Sequence, residues 1–286
     1  MTEWSLVSPV PRRRRLNDSA IGLIGIDVDG TLVGSSGIVH PSVWRAAEAA
    51  AKCGIGLALC SGRPAFGTAL EYARRLDANG WHIFQNGASI VNLATRQSRS
   101  VSIPPSCVKK LIAQARESAE TLELYSDDGY VVESSSPWAR AHADLLGVAF
   151  APRAFESLTQ PVVRAQWLLS ADKARQFMSV PHPGLEMAQS TSPLMPGTCF
   201  VGLTKEGVSK GNALRSVAGQ YGVALRDVMY VGDAGNDLSA LRIVGHPVAM
   251  ANADPAVLEA AAHTVGHVDN GGLAQALELA VAAHCD

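Results

Sequence analysis

Two short acidic runs constrain this chain more than any other feature: Asp27-Val28-Asp29-Gly30-Thr31 and Gly232-Asp233-Ala234-Gly235-Asn236-Asp237. Each follows an apolar stretch, Ile21 to Ile26 before the first and Val228 to Val231 before the second. A short apolar run ending at Gly and Asp reads as a buried parallel strand. Open α/β sheets bind ligands at the carboxyl ends of their strands, so both runs should meet at one sheet edge. Carboxylates crowded there repel one another. They stay ionised most easily around a hard cation, and Mg2+ favours oxygen ligands of this kind.

The segments between the two runs set the organisation. Pro41 to Cys53 reads as a helix stopped by Gly54, and Ile55 to Cys60 as a strand ending at Ser61-Gly62-Arg63. A helix from Pro64 to about Leu76 and a third strand, Trp81 to Gln85, complete a β-α-β alternation that implies a parallel sheet. The texture then changes. Ala88 to Val101 reads as a hairpin, and Leu122 to Ser126 and Tyr130 to Glu133 flank the turn Asp127-Asp128-Gly129. Helices from Pro105, Pro137 and Asp172 are interspersed with strands at Val162 to Ser170 and Leu185 to Gln189, a separate α+β layer. From Cys199 the alternating style is expected to return, with strands at Cys199 to Leu203, Val228 to Val231, Pro247 to Met250 and His263 to Val265. The reading is a discontinuous core at 20–87 and 198–286, a cap at 88–197, and a mobile basic tail at 1–19 that carries Arg12 to Arg15.

Composition removes several classes of function. A net charge of −2 gives no reason to expect nucleic acid. No apolar run of about 18 residues exists, so no membrane span is expected, and no apolar segment follows the arginines as a secretory signal requires. The five cysteines are scattered without a C-x-x-C pair, which suggests neither a zinc site nor a disulfide framework and fits a cytoplasmic setting. Cys60 reads as a small buried hydrophobe. A monomer or a homodimer is expected.

The motif residues match the parts that phosphoryl transfer needs, which is mainly positioning and charge stabilisation. Asp27 is the first carboxylate off its strand and is suited to attack phosphorus, forming an acyl phosphate. Asp29, two residues on, can protonate a leaving alkoxide and later take a proton from water. Gly30 permits a sharp turn. Ser61 can donate to the phosphate. Lys210 opens a helix, where a cation opposes the macrodipole, so its placement invites a functional explanation. Asp233 and Asp237 would complete the metal site. Singly, each residue has a bland reading as a turn, cap or surface residue; four pieces in one consistent order do not.

That order, Asp27-Val28-Asp29-Gly30-Thr31-Leu32, Ser61-Gly62-Arg63, Lys210-Gly211-Asn212-Ala213-Leu214 and Gly232-Asp233-Ala234-Gly235-Asn236-Asp237, resembles the haloacid dehalogenase-like hydrolase superfamily. Gln85-Asn86-Gly87-Ala88 and Val248-Ala249-Met250-Ala251-Asn252-Ala253 are similar to its Cof-type sugar-phosphatase branch. The resemblance implies an α/β fold, a Rossmann-like parallel-sheet core with an inserted α+β cap domain. It implies Asp27 as nucleophile and Asp29 as general acid/base. Mg2+ would be held by the Asp27 carboxylate, the Asp29 backbone carbonyl and Asp233, with Asp237 ligating or supporting through water. Ser61 and Lys210 would hold the phosphoryl group, Thr31 would orient Asp29, and Asn236 would line the phosphate pocket.

The leading expectation is a Mg2+-dependent phosphatase acting on a small phosphorylated metabolite, a sugar phosphate above others. A phosphotransferase or mutase would use the same aspartyl phosphate, but retention of Asp29 favours hydrolysis. A non-catalytic binding protein on this fold is disfavoured by the intact acidic set. In the cap, Trp167 reads as core packing, Arg164 as a solvated strand-face residue and His182 as a loop residue; these and Glu186 are given no role.

Overall fold

The computed structural model describes residues 21–191 and 195–285, so the expected tail at 1–19 lies outside the described residues. Among the described residues the first sheet contains five strands in the order β12-β11-β10-β1-β2: β1 (Leu23–Ile26), β2 (Gly56–Leu59), β10 (Val228–Gly232), β11 (His246–Met250) and β12 (His263–Val265). Every neighbouring pair is parallel. β1, β2, β10 and β11 are short, mostly apolar and largely buried, as a sheet covered on both faces requires, while the edge strand β12 leaves Thr264 exposed. α1 (Pro41–Lys52), α2 (Gly67–Asp77) and α9 (Gly272–Cys285) contribute to the core on one face, while α6 (Lys210–Tyr221) and α7 (Leu238–Leu241) contribute to the other. No helix among the described residues is long and apolar enough to cross a membrane.

Register decides where the motifs fall. Ile26 lies opposite Leu59 on one side and Val231 on the other. Asp27, Ser61 and Asp233 therefore leave their strands at the same carboxyl edge, on either side of β1 where strand order reverses.

The expected third parallel strand is placed differently. β3 (Trp81–Phe84) pairs antiparallel with β4 (Ser89–Asn92) and meets the parallel sheet through one bridge, Cys60 to Ile83. Gln85 and Asn86 turn the chain out of the core with positive φ, 54° and 56°; Asn tolerates that region better than most residues.

The second sheet is antiparallel, in the order β6-β5-β7-β9-β8 among the described residues. Its strands are β5 (Thr121–Tyr125), β6 (Tyr130–Val132), β7 (Arg164–Leu169), β8 (Leu185–Thr191) and β9 (Cys199–Lys205), with α3 (Pro105–Ser118), α4 (Pro137–Leu146) and α5 (Ala171–Met178) between them. The membership of β9 corrects the expected return to the core at residue 198. β9 pairs with β7 and β8, not with the parallel sheet. Cys199, Val201 and Leu203 pack into the core of this layer while Phe200 packs on the opposite side with Leu168. An antiparallel strand buried on both faces has the same apolar run as a parallel one, which is why its sequence misleads.

Candidate active site

The site forms where β1, β2 and β10 end. Asp27 is buried and its amide donates to the Val231 carbonyl at 3.1 Å, which ties the first acidic loop to β10. Gly30 takes φ +87°, and a Cβ there would overlap the Asp233 carboxylate. Glycine at this point is therefore what lets the two acidic loops touch.

Lys210 begins α6, whose N-cap Ser209 accepts from the Asn212 amide at 3.2 Å. Gly211 lets α6 approach α7 closely, since a Cβ there would overlap the Ser239 carbonyl. That approach carries Lys210 into the site, 1% exposed, where its ammonium donates to Asp27 at 2.5 Å and to Asp237 at 2.7 Å. Burial opposes the charged lysine, but Asp237 and Asp27 outweigh it and raise its pKa.

Asp237 is fully engaged by protein donors. One oxygen accepts from Lys210 and from the Tyr230 hydroxyl at 2.6 Å; the other accepts the amides of Asp233 and Ala234, each at 3.0 Å. It braces the second acidic loop as well as the lysine. Asp27, Asp233 and Asp237 bring carboxylate oxygens within 4.8 Å of one another. Burial, then repulsion from Asp237, raises the Asp27 carboxyl well above its usual range, and the same causes push Asp233 up to about 6. One ammonium does not neutralise three carboxylates. This hard-oxygen donor set with an excess of negative charge fits a divalent cation such as Mg2+.

Ser61 is buried, and its hydroxyl accepts from the Arg63 amide at 3.0 Å, which leaves its own hydrogen to donate. Asn236 is exposed at the rim and donates to the Asn86 side chain at 3.0 Å. One residue contacts a partner other than the one that the resemblance implies. The Thr31 hydroxyl donates to Asp233 at 3.1 Å, so it orients that carboxylate and not Asp29. The Asp29 side chain, 62% exposed, stands apart from the carboxylate cluster and forms a bidentate pair with Arg63, whose Nε donates at 2.9 Å. Arg63 received no role from the sequence; its place directly after Ser61-Gly62, across the site from Asp29, is the only signal it carried. Asn252, which stands in the sequence only as part of the Val248 to Ala253 motif, links the Gly30 carbonyl at 2.7 Å to the Val268 amide at 3.0 Å. Cys60 is buried beneath the site with its thiol pushed up by burial, as a small hydrophobe would be.

The model of the haloacid dehalogenase-like hydrolase family matches residues 24–277. The Bacillus subtilis protein YxeH is 27% identical over 270 residues, covering 91% of this chain and 98% of its own length. The 5-amino-6-(5-phospho-D-ribitylamino)uracil phosphatase YwtE of the same organism is 24% identical, over 88% of this chain and 95% of that protein. A crystal structure of a haloacid dehalogenase-like hydrolase from Bacteroides thetaiotaomicron superposes with a TM-score of 0.80 at 27% identity, covering 90% of this chain and 98% of that one. The motif order, the parallel sheet with its second antiparallel layer and the match along nearly the whole length agree: the chain belongs to the haloacid dehalogenase-like hydrolase family, in its Cof-type branch.

Proposed function

We propose that this phosphatase is Mg2+-dependent and hydrolyses a small phosphorylated metabolite, a sugar phosphate above others, through an aspartyl phosphate on Asp27. The observation that carries the reading is the buried contact of Lys210 with Asp27 beside Asp233 and Asp237. It supplies an attacking carboxylate, a cation and an acidic cluster at one sheet edge. YwtE and the HMP-PP phosphatase of Serratia proteamaculans, 23% identical over 90% of this chain, are named for phosphorylated small molecules, which supports the substrate class.

Asp27 and Asp233 would hold Mg2+ together with the Asp29 backbone carbonyl. Because Asp237 already accepts four protein donors, it serves as a brace more readily than as a direct ligand. When bound, the ion lowers the repulsion between the Asp27 carboxylate and a phosphate dianion. Lys210 and Ser61 donate to the phosphoryl oxygens, and Asn236 lines the pocket. A carboxylate oxygen of Asp27 attacks phosphorus while Asp29, freed from Arg63, gives a proton to the leaving alkoxide. Asp29 then takes a proton from the water that attacks the acyl phosphate, and phosphate leaves. Residues 88–205 act as the cap, and its closure excludes water from the reaction. Asp27→Asn with an unchanged melting curve should lose phosphate release from phenyl phosphate; near-normal turnover in that variant would disprove the assignment.

A further inference from the structure

The cap sheet buries one apolar and one polar face. Leu122, Leu124, Ala165, Trp167, Val201 and Leu203 share an apolar core with residues of α3 and α5. Glu123, Tyr125, Arg164 and Gln166, at the alternate positions of β5 and β7, project to the other side. All four are buried; Arg164 is 8% exposed and Glu123 0%. Burying such groups is costly unless they are partnered. The Glu123 carboxylate accepts from the Tyr125 hydroxyl at 2.5 Å and from Gln166 at 3.3 Å, and lies 2.8 Å from His142 Nδ1. Gln166 in turn accepts from the Arg164 guanidinium, which lies over the Tyr125 ring at 4.9 Å.

This row ends at the catalytic loop. Arg164 Nη1 donates to the Gly62 carbonyl at 2.5 Å, one residue from Ser61. A Cβ on Gly62 would crowd the Asn86 side chain, which accepts from Asn236. Phe66, on the same loop, stacks on Tyr125 and Tyr130. The two contacts of Arg164 spend two of its five N–H groups, and its Nε is buried without a partner. A guanidinium so held, with unspent donors at the rim of the phosphoryl pocket, is built for an acceptor that arrives with the substrate.

We propose that Arg164 determines specificity by donating to an oxygen acceptor, a carboxylate or a hydroxyl, on the leaving-group half of the phosphate ester. Glu123 and Gln166 are positioning residues that aim it. The inference rests on the phosphatase reading and narrows its substrates to oxygen-bearing leaving groups. If Arg164 were merely a latch between cap and core, its loss would slow all substrates alike.

The test compares kcat/KM for 6-phosphogluconate, sorbitol 6-phosphate and phenyl phosphate in the full chain with Mg2+. The first two carry a carboxylate or hydroxyls alone, and the third carries no further oxygen. Arg164→Ala should lower the ratio of kcat/KM for at least one oxygen-bearing ester to that for phenyl phosphate by about tenfold or more, mainly through KM. Arg164→Lys, which keeps the charge and loses the fork, should fall between. Gln166→Leu should raise KM for the same ester more than it changes kcat. Melting curves of each variant report on the fold. An unchanged ratio, whether both rates fall or neither does, overturns the inference. Failure of the wild type to release phosphate from any of the three esters would strike the phosphatase reading itself, a separate result.

Discussion

Replacing Lys210 by methionine removes the only ion-pair partner that Asp27 has among the described residues. The ammonium is wholly buried between Asp27 and Asp237, whose side chains are 7% and 0% exposed. An exposed ion pair is worth under about 1 kcal/mol, but stripping one partner from a buried pair costs about 3–5 kcal/mol because a charge is left uncompensated. Asp237 keeps the Tyr230 hydroxyl and two amides, so the loss falls mainly on Asp27 and belongs near the lower figure, about 3 kcal/mol. The assay is urea unfolding in EDTA for the wild type, Lys210→Met, Asp27→Asn and the double variant. With Asp27 already neutral, methionine should cost markedly less, leaving a coupling energy of about 1–3 kcal/mol between the two positions. A cost below about 0.5 kcal/mol, or strictly additive variants, would refute the claim that the lysine offsets a crowded anionic site.

Other perturbations have equally definite outcomes. His82 is buried, with Nδ1 accepting from the Leu59 amide at 3.0 Å and Nε2 against the Asp77 carbonyl at 2.8 Å, and burial lowers its pKa to about 4. The unfolded chain binds the proton more tightly, so this residue's contribution is present above pH about 6.5 and is lost as pH falls towards 4, roughly 3 kcal/mol in all; the pH dependence of urea stability should flatten across that window in His82→Gln. Gly30→Ala sets a Cβ against the Asp233 carboxylate at φ +87°; Mg2+ affinity by calorimetry and turnover should both fall, by about tenfold or more. Thr31→Val removes the hydrogen bond to Asp233 and should cost about 1 kcal/mol in Mg2+ binding while leaving the Arg63–Asp29 pair in place.

The parallel core was readable because its strands are apolar runs closed by Gly and Asp, and because register on either side of β1 follows from their common ends. Asp27, Ser61, Lys210, Asp233 and Asp237 stand out in the sequence by residue type together with their place after a strand or at a helix start, and the fold gathers them at one edge. Other features had no local signature. β9 carries the apolar run of a parallel strand yet lies in the antiparallel sheet, since burial on both faces erases the alternation that separates the two. Arg164 looked like a solvated strand residue because nothing in β7 announces that Gly62 will cover it. Thr31 sits two residues from Asp29 in sequence, but the turn at Gly30 sends its hydroxyl to Asp233, a residue 202 positions away. The partner of Asp29 is Arg63, 34 positions on, and only the fold brings them together.

In the proposed mechanism Asp27 carries the phosphoryl group between two half-reactions. Acetyl phosphate expels acetate, a leaving group that needs no proton, so an Asp29→Ala variant should still complete the first half-reaction and stall in the second. Acid quenching of that variant with Mg2+ and acetyl phosphate, followed by peptide mass spectrometry, should find one phosphoryl group on Asp27. Wild-type release of phosphate from acetyl phosphate with no phosphoryl group on Asp27 in the variant, or with the group on another side chain, would contradict it.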